Sequence, residues 1–159
     1  ESLMKNDKPK IFILCTILIT SFWIVSKEEN LMTKEIIFTD KAPKAIGPYS
    51  QAVKANGFLF VSGQIPLNPE TGDLMNASIE DQAEQVIKNL TSICEAANLS
   101  LSDIVKLTIY ITDMGDFSVV NEAMLKHFKE PYPARATVEV SALPLGVNVE
   151  MDAILVTND

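Results

Sequence analysis

The chain has one histidine and two cysteines in 159 residues, and its only arginine is Arg135. These scarcities exclude several chemistries. His127 alone cannot form a ribonuclease-type acid/base pair, and with Cys94 it cannot complete a Cys/His zinc cluster. It reads as a partly exposed helical residue. Cys15 and Cys94 give neither a disulfide framework nor a metal pattern, and a single thiol in the body suits a reducing compartment or simple indifference to redox state. There is no G-x-S-x-G elbow, no phosphate-binding glycine-rich loop and no dinucleotide fingerprint. Ser62-Gly63-Gln64 superficially suggests a nucleophile, but it lacks a histidine to activate it by triad logic.

Positive charge is also scarce. The net charge is −8, and residues 1–31 carry none of it, with four lysines against four acids. The acidic body of residues 32–159 would repel a phosphate backbone, so general nucleic-acid binding is not expected. The first 31 residues differ in kind. Lys5, Lys8 and Lys10 precede an uncharged apolar run, Ile11 to Val25, too short for a full span. Basic residues before such a run resemble a secretory signal, but a small-residue cleavage site is missing. An uncleaved anchor, an upstream start before a true Met32, and a buried helix are the other readings. The expected boundary is therefore an extension over residues 1–31 and one domain over residues 32–159. The expected location is cytoplasmic, or secreted or membrane-anchored if the extension is used.

The body alternates between strand and helix patterns. Glu35–Phe38 reads as a strand, and Lys41 to Tyr49 as a loop broken by two prolines and a glycine. Ser50–Ala55 and Phe58–Ser62 form a hairpin about Asn56-Gly57, with Gly63 to Pro66 ending its second strand. Ser78 caps a long helix whose apolar face carries Ile79, Ala83, Val86, Ile87, Leu90, Ile93, Cys94 and Ala97, with Asn98 as its stop. Asp103–Ile111 is a strand. Asp116 caps a second helix that turns Phe117, Val120, Met124 and Phe128 inward, and Pro131 and Pro133 follow its end. Arg135–Val140 and Val147–Val156 are the last strands. The order β-β-β-α-β-α-β-β predicts an α+β domain with two helices on one face of a mixed sheet. One side of the final strand mixes Glu150 and Asp152 with Ile154 and Val156, and would meet water or another subunit.

Four polar groups at strand ends and loops remain as candidates. Arg135 offers a rigid donor fork that fits a carboxylate. Glu150 lies fifteen residues on, where hairpin pairing would bring it within reach, and it could act as a base. Tyr49 follows a Gly-Pro turn, and Ser62 precedes a glycine that admits a close backbone approach. Each also has an ordinary reading: an exposed edge charge, a solvated ion-pair partner, a loop anchor and a strand-end hydrogen bond. Pattern alone leads to an acidic α+β domain with a candidate carboxylate site.

Residues 32–159 nevertheless resemble the Rid (YjgF-like) family, also labelled endoribonuclease L-PSP. The segments that carry the likeness are Ala45-Ile46-Gly47-Pro48-Tyr49-Ser50-Gln51-Ala52, Val61-Ser62-Gly63-Gln64-Ile65-Pro66, Pro133-Ala134-Arg135, Val138-Glu139-Val140 and Val149-Glu150-Met151-Asp152-Ala153. The turn Asn68-Pro69-Glu70-Thr71-Gly72 also fits. The resemblance implies a chorismate-mutase-like fold in a homotrimer with clefts between subunits. It implies hydrolysis of 2-iminobutanoate and 2-iminopropanoate to 2-oxo acids and ammonia, with no cofactor and no metal. It places Arg135 on the substrate carboxylate and Glu150 on the attacking water. Tyr49, Ser62, Gly63, Asn121 and Thr137 then line the cleft. Thr137 stands where bacterial deaminases of the family commonly have cysteine, and the segment between Asn121 and Pro133 is a few residues shorter. A carboxylate-binding or chaperone-like trimer and an endoribonuclease or translation inhibitor are the alternative functions.

Overall fold

A computed structural model describes residues 34–75 and 77–157. The readings of residues 1–31 lie outside the described residues. Six strands form one sheet: β1 (Glu35–Ile37), β2 (Ala52–Ala55), β3 (Phe58–Gln64), β4 (Ile104–Ile111), β5 (Ala134–Glu139) and β6 (Val149–Val156). Two helices, α1 (Ile79–Ala96) and α2 (Phe117–His127), complete the α+β domain. The spatial order is β1-β2-β3-β6-β4-β5, with every pairing antiparallel except β4 with β5.

Local signals set most element ends. Asn56 and Gly57 both have positive φ, 51° and 76°, the primed turn that suits a two-residue hairpin. Ser78 Oγ accepts the Asp81 N–H at 3.1 Å and donates to Asp81 Oδ2 at 2.6 Å, so the α1 cap forms as expected. Asn98 closes the helix with φ 58°. Asp116 makes no capping bond at α2. Instead Asp113 Oδ1 accepts the Gly115 N–H at 2.7 Å, one turn earlier, because a 3-10 turn, Met114–Asp116, leads into the helix. The hairpin strand β3 continues through Gly63 and Gln64 rather than ending at Ser62.

Cross-strand partners point to the same side of a sheet, so the register sorts the two faces. One row runs Ile37, Ala52, Val61, Ala153, Leu107, Arg135 across all six strands. It faces the helices, and its first five members are buried. Val86, Ile87, Leu90 and Ile93 of α1 are fully buried with them, each contributing about 1.5–3 kcal/mol. The adjacent row, Ile36, Val53, Phe60, Ile154, Lys106, Ala134, looks the other way. No described helix covers that open face. Phe58, Phe60, Val138 and Val156 on it are 41–45% exposed.

Buried side-chain amides hold the loops. Gln51 accepts the Thr39 N–H at 2.8 Å and donates to the carbonyls of Thr39, Ala42 and Pro43 at 2.8–3.1 Å. Asn89 donates to the carbonyls of Ile65 and Leu67, fixing the chain beyond β3. Gln82 accepts the Asn148 N–H at 2.9 Å and so sets the entry to β6. These groups satisfy backbone that carries no ladder bonds.

Candidate active site: two hollows on opposite faces

Arg135 is the exposed end of the buried row. Its Nη1 donates to Asn121 Oδ1 at 2.8 Å and touches Met124 Sδ at 3.4 Å. The guanidinium carbon lies 5.4 Å from the Phe117 ring centroid, a cation–π contact. Phe117 is 39% exposed, so it stacks on Arg135 instead of turning into the core. Among the described residues no carboxylate pairs with Arg135. The fork opens into a hollow of about 380 Å³ lined by Asn121, Met124, Leu125, Tyr132, Pro133 and Arg135. Apolar walls around a cation with free donors strengthen its attraction for an anion.

Glu150 is elsewhere. β4 lies between β6 and β5, so no hairpin brings Arg135 and Glu150 together. Glu150 pairs with Tyr110, which pairs with Val138, and that row is on the open face. The expected hairpin is thus overturned by a non-local pairing: β5 joins β4 in parallel. The Glu150 carboxyl lines a cleft of about 340 Å³ with Ile46, Tyr49, Ser62, Gly63, Ile65 and Pro144. Burial, and secondarily the charge of Asp152, push its pKa above the usual carboxylate range.

The walls of this cleft follow from the turn chemistry around it. An extra residue bulges β3 between Val61 and Gln64, opposite β6. There Gly63 comes so close to Glu150 that a Cβ would sit 1.9 Å from Oε1. Only glycine leaves the carboxyl its place. Ser62 Oγ donates to the Ser50 carbonyl at 2.7 Å, so its proton is committed and its oxygen can accept. Tyr49 is held by a tight turn onto Gly47, and its hydroxyl accepts the Ile46 N–H at 3.3 Å.

The structure therefore gathers Tyr49, Ser62, Gly63 and Glu150 in one place, and Arg135 with Asn121 in another. Thr137 sits on β5 opposite Ile109, on the Arg135 face. Its Oγ1 is buried with no hydrogen-bond partner. A further hollow of about 490 Å³ lies elsewhere, over Met75, Glu84, Lys88, Glu95 and His127. It is a solvated charged surface, in which His127 Nε2 lies 2.5 Å from Glu84 and Lys126 bridges Glu80 and Glu84. Cys94 is buried and its pKa is pushed up to about 12 by that burial, so the thiol is inert. Sequence reasoning missed Gln51, Gln82 and Asn89, the groups that position both loops of the Glu150 cleft. Their signal was polar residues on a buried helix face and beside a buried strand.

The chain belongs to the Rid family: the family model described as Endoribonuclease L-PSP matches residues 39–157. A RutC family protein of Pyrococcus horikoshii is 53% identical, over 76% of this chain and 96% of its own. The human protein named 2-iminobutanoate/2-iminopropanoate deaminase is 40% identical, over 79% of this chain and 91% of its own. The crystal structure of RidA from the Antarctic bacterium Psychrobacter is similar with a TM-score of 0.75 and 50% identity, covering 77% of this chain and 98% of that one.

Proposed function

We propose that this protein hydrolyses small 2-imino acids, or their enamine tautomers, to 2-oxo acids and ammonia, in sites completed by a second copy of the chain. The observation that carries the reading is the split itself. One hollow offers a cation with no carboxylate and the other a carboxyl with no cation, and a 2-imino acid needs both. Arg135 would grip the substrate carboxylate through its free donors, with Asn121 and Phe117 holding the fork flat. Glu150 would accept a proton from the water that attacks the imine carbon. As the C–O bond forms, the C=N pair becomes a nitrogen lone pair. Glu150 returns that proton to the nitrogen and then carries the second proton to it from the new hydroxyl, so that an oxygen lone pair closes the C=O bond as the C–N bond breaks and ammonia leaves.

Two further features support assembly from identical chains. Phe58, Phe60, Val138 and Val156 leave an exposed apolar surface on the open face. The two half-sites differ, so joining one to the other is a head-to-tail contact, which forms a ring when the rotation between copies closes. Three members is the number expected of the family. A simple carboxylate binder would need only the Arg135 hollow; the room that Gly63 leaves for Glu150 favours an enzyme. A ribonuclease is disfavoured by the net charge of −8 and by a single histidine already engaged with Glu84.

The test uses two inactive variants, Arg135→Ala and Glu150→Gln, mixed by joint unfolding and refolding. Random reassembly gives roughly a quarter of the sites an intact Arg135 from one chain and an intact Glu150 from the other. Release of 2-oxobutanoate from enzymatically generated 2-iminobutanoate should recover to about that fraction. No recovery, with each variant inactive alone, would mean that the site does not span two chains.

A further inference from the structure

Tyr110 and Asp152 stand beside Glu150 on the open face and belong to neither hollow. Tyr110 is the direct cross-strand partner of Glu150, yet its hydroxyl donates to Asp152 Oδ2 at 2.8 Å, one pair further along. Asp152 lies two residues from Glu150 on the same strand and the same face, about 6.6 Å away by strand rise. The hydrogen bond therefore fixes a second carboxylate next to the first. The Tyr110 phenol stays a donor, because the bond to Asp152 raises its pKa. Within one chain, the other described groups around Glu150 offer no compensating cation; the Arg135 that a second copy would bring is the same in the wild type and in every variant below. Ser62 and Gly63 of β3 do not titrate, and Tyr49 is the remaining ionisable side chain in the cleft. Lys44 borders the adjoining crevice but pairs with Asp40 at 3.5 Å, and Lys106 stands on the same face opposite Ile154, one pair beyond Asp152 and two pairs from Glu150.

We propose that Asp152, anchored by Tyr110, is a positioning residue for proton transfer by Glu150: its fixed negative charge keeps Glu150 basic enough to return a proton to the departing nitrogen. The inference rests on the hydrolytic reading above for its purpose, but the electrostatic pairing is measurable without it. The acid-side limb of the rate profile is where Glu150 must be ionised to accept a proton from water. A neighbouring negative charge moves that limb to higher pH, and removing the charge moves it down.

The experiment follows Glu150 directly, by carbon NMR of side-chain carboxyls in the full-length assembled protein, with Glu150→Gln identifying the signal. In Asp152→Asn the Glu150 midpoint should fall, and the acid limb of kcat/KM should fall with it while KM holds. Asp152→Glu should retain the wild-type midpoint. Tyr110→Phe, which frees Asp152 to swing away, should shift the midpoint in the same direction by less. It also keeps the test open if Asp152→Asn does not assemble. An unchanged midpoint in whichever of Asp152→Asn and Tyr110→Phe assembles overturns the proposal. If no variant or wild-type protein deaminates the imine but the midpoint still moves, the hydrolytic reading fails and the carboxylate pairing stands.

Discussion

The Arg135 hollow and the Glu150 cleft are built from the same sheet in opposite ways. Arg135 ends a row of five buried residues, so its backbone position is set by the core, and its side chain is supported by Asn121, Met124 and Phe117 of one helix. Glu150 sits on the uncovered face, and its surroundings come from a bulge, a clamped loop and a neighbouring acid. In the proposed function, the first is a rigid recognition element on regular structure and the second a reactive group tuned by irregular structure. A chain can place a charge reliably with its core, but it makes a carboxyl unusual only by crowding it, and crowding takes bulges and glycines.

The largest effects should separate these two roles. Glu150→Gln should reduce kcat by roughly 10²–10⁴-fold with little change in KM, as loss of a proton-transfer group does. Arg135→Ala should cost about 2–5 kcal/mol in kcat/KM, with the assembly intact by sedimentation. Equal effects of both variants on kcat alone would erase the distinction between gripping and reacting. Next comes Gly63→Ala. A methyl there must displace the Glu150 carboxyl, and a misplacement of about 1 Å costs roughly 10²-fold in rate. The variant should still fold, since the clash is with a movable side chain; wild-type turnover would show that Glu150 does not act from this position. The smallest effect is on stability. Thr137→Val removes a buried hydroxyl without a partner and should stabilise the protein by about 1 kcal/mol in urea unfolding. A loss of stability instead would place a partner for Thr137 in the assembled protein.

Much of the fold was legible because it is local. The Asn56-Gly57 turn, the Ser78 cap, the Asn98 stop and the apolar face of α1 each depend on residues within a few positions. What escaped depends on distance. That β4 lies between β6 and β5 is decided by pairings across long chain separations, and it moved Arg135 and Glu150 to opposite faces. Asp116 lost the cap to Asp113 because a 3-10 turn intervenes, a shift of three residues that composition does not reveal. The candidate site residues came from family likeness more than from pattern. Their grouping into two separate hollows became visible only with the strand order.

Gln51 has a consequence for how this chain tolerates change. One amide group measures the stretch from Thr39 to Pro43 against β2, because four backbone groups there are spaced to meet it. Gln51 reads only the backbone there, although Ala42 is itself packed in the core and Thr39 Oγ1 accepts the Lys41 N–H. The length of the stretch is fixed, because one added or lost residue would leave a buried amide facing the wrong partners. Beyond it, between Lys44 and Gly47, Gln51 has no hold, and the backbone instead answers to Tyr49 through Ile46 and Gly47. The loop is thus gauged at its root by Gln51 and at its tip by Tyr49.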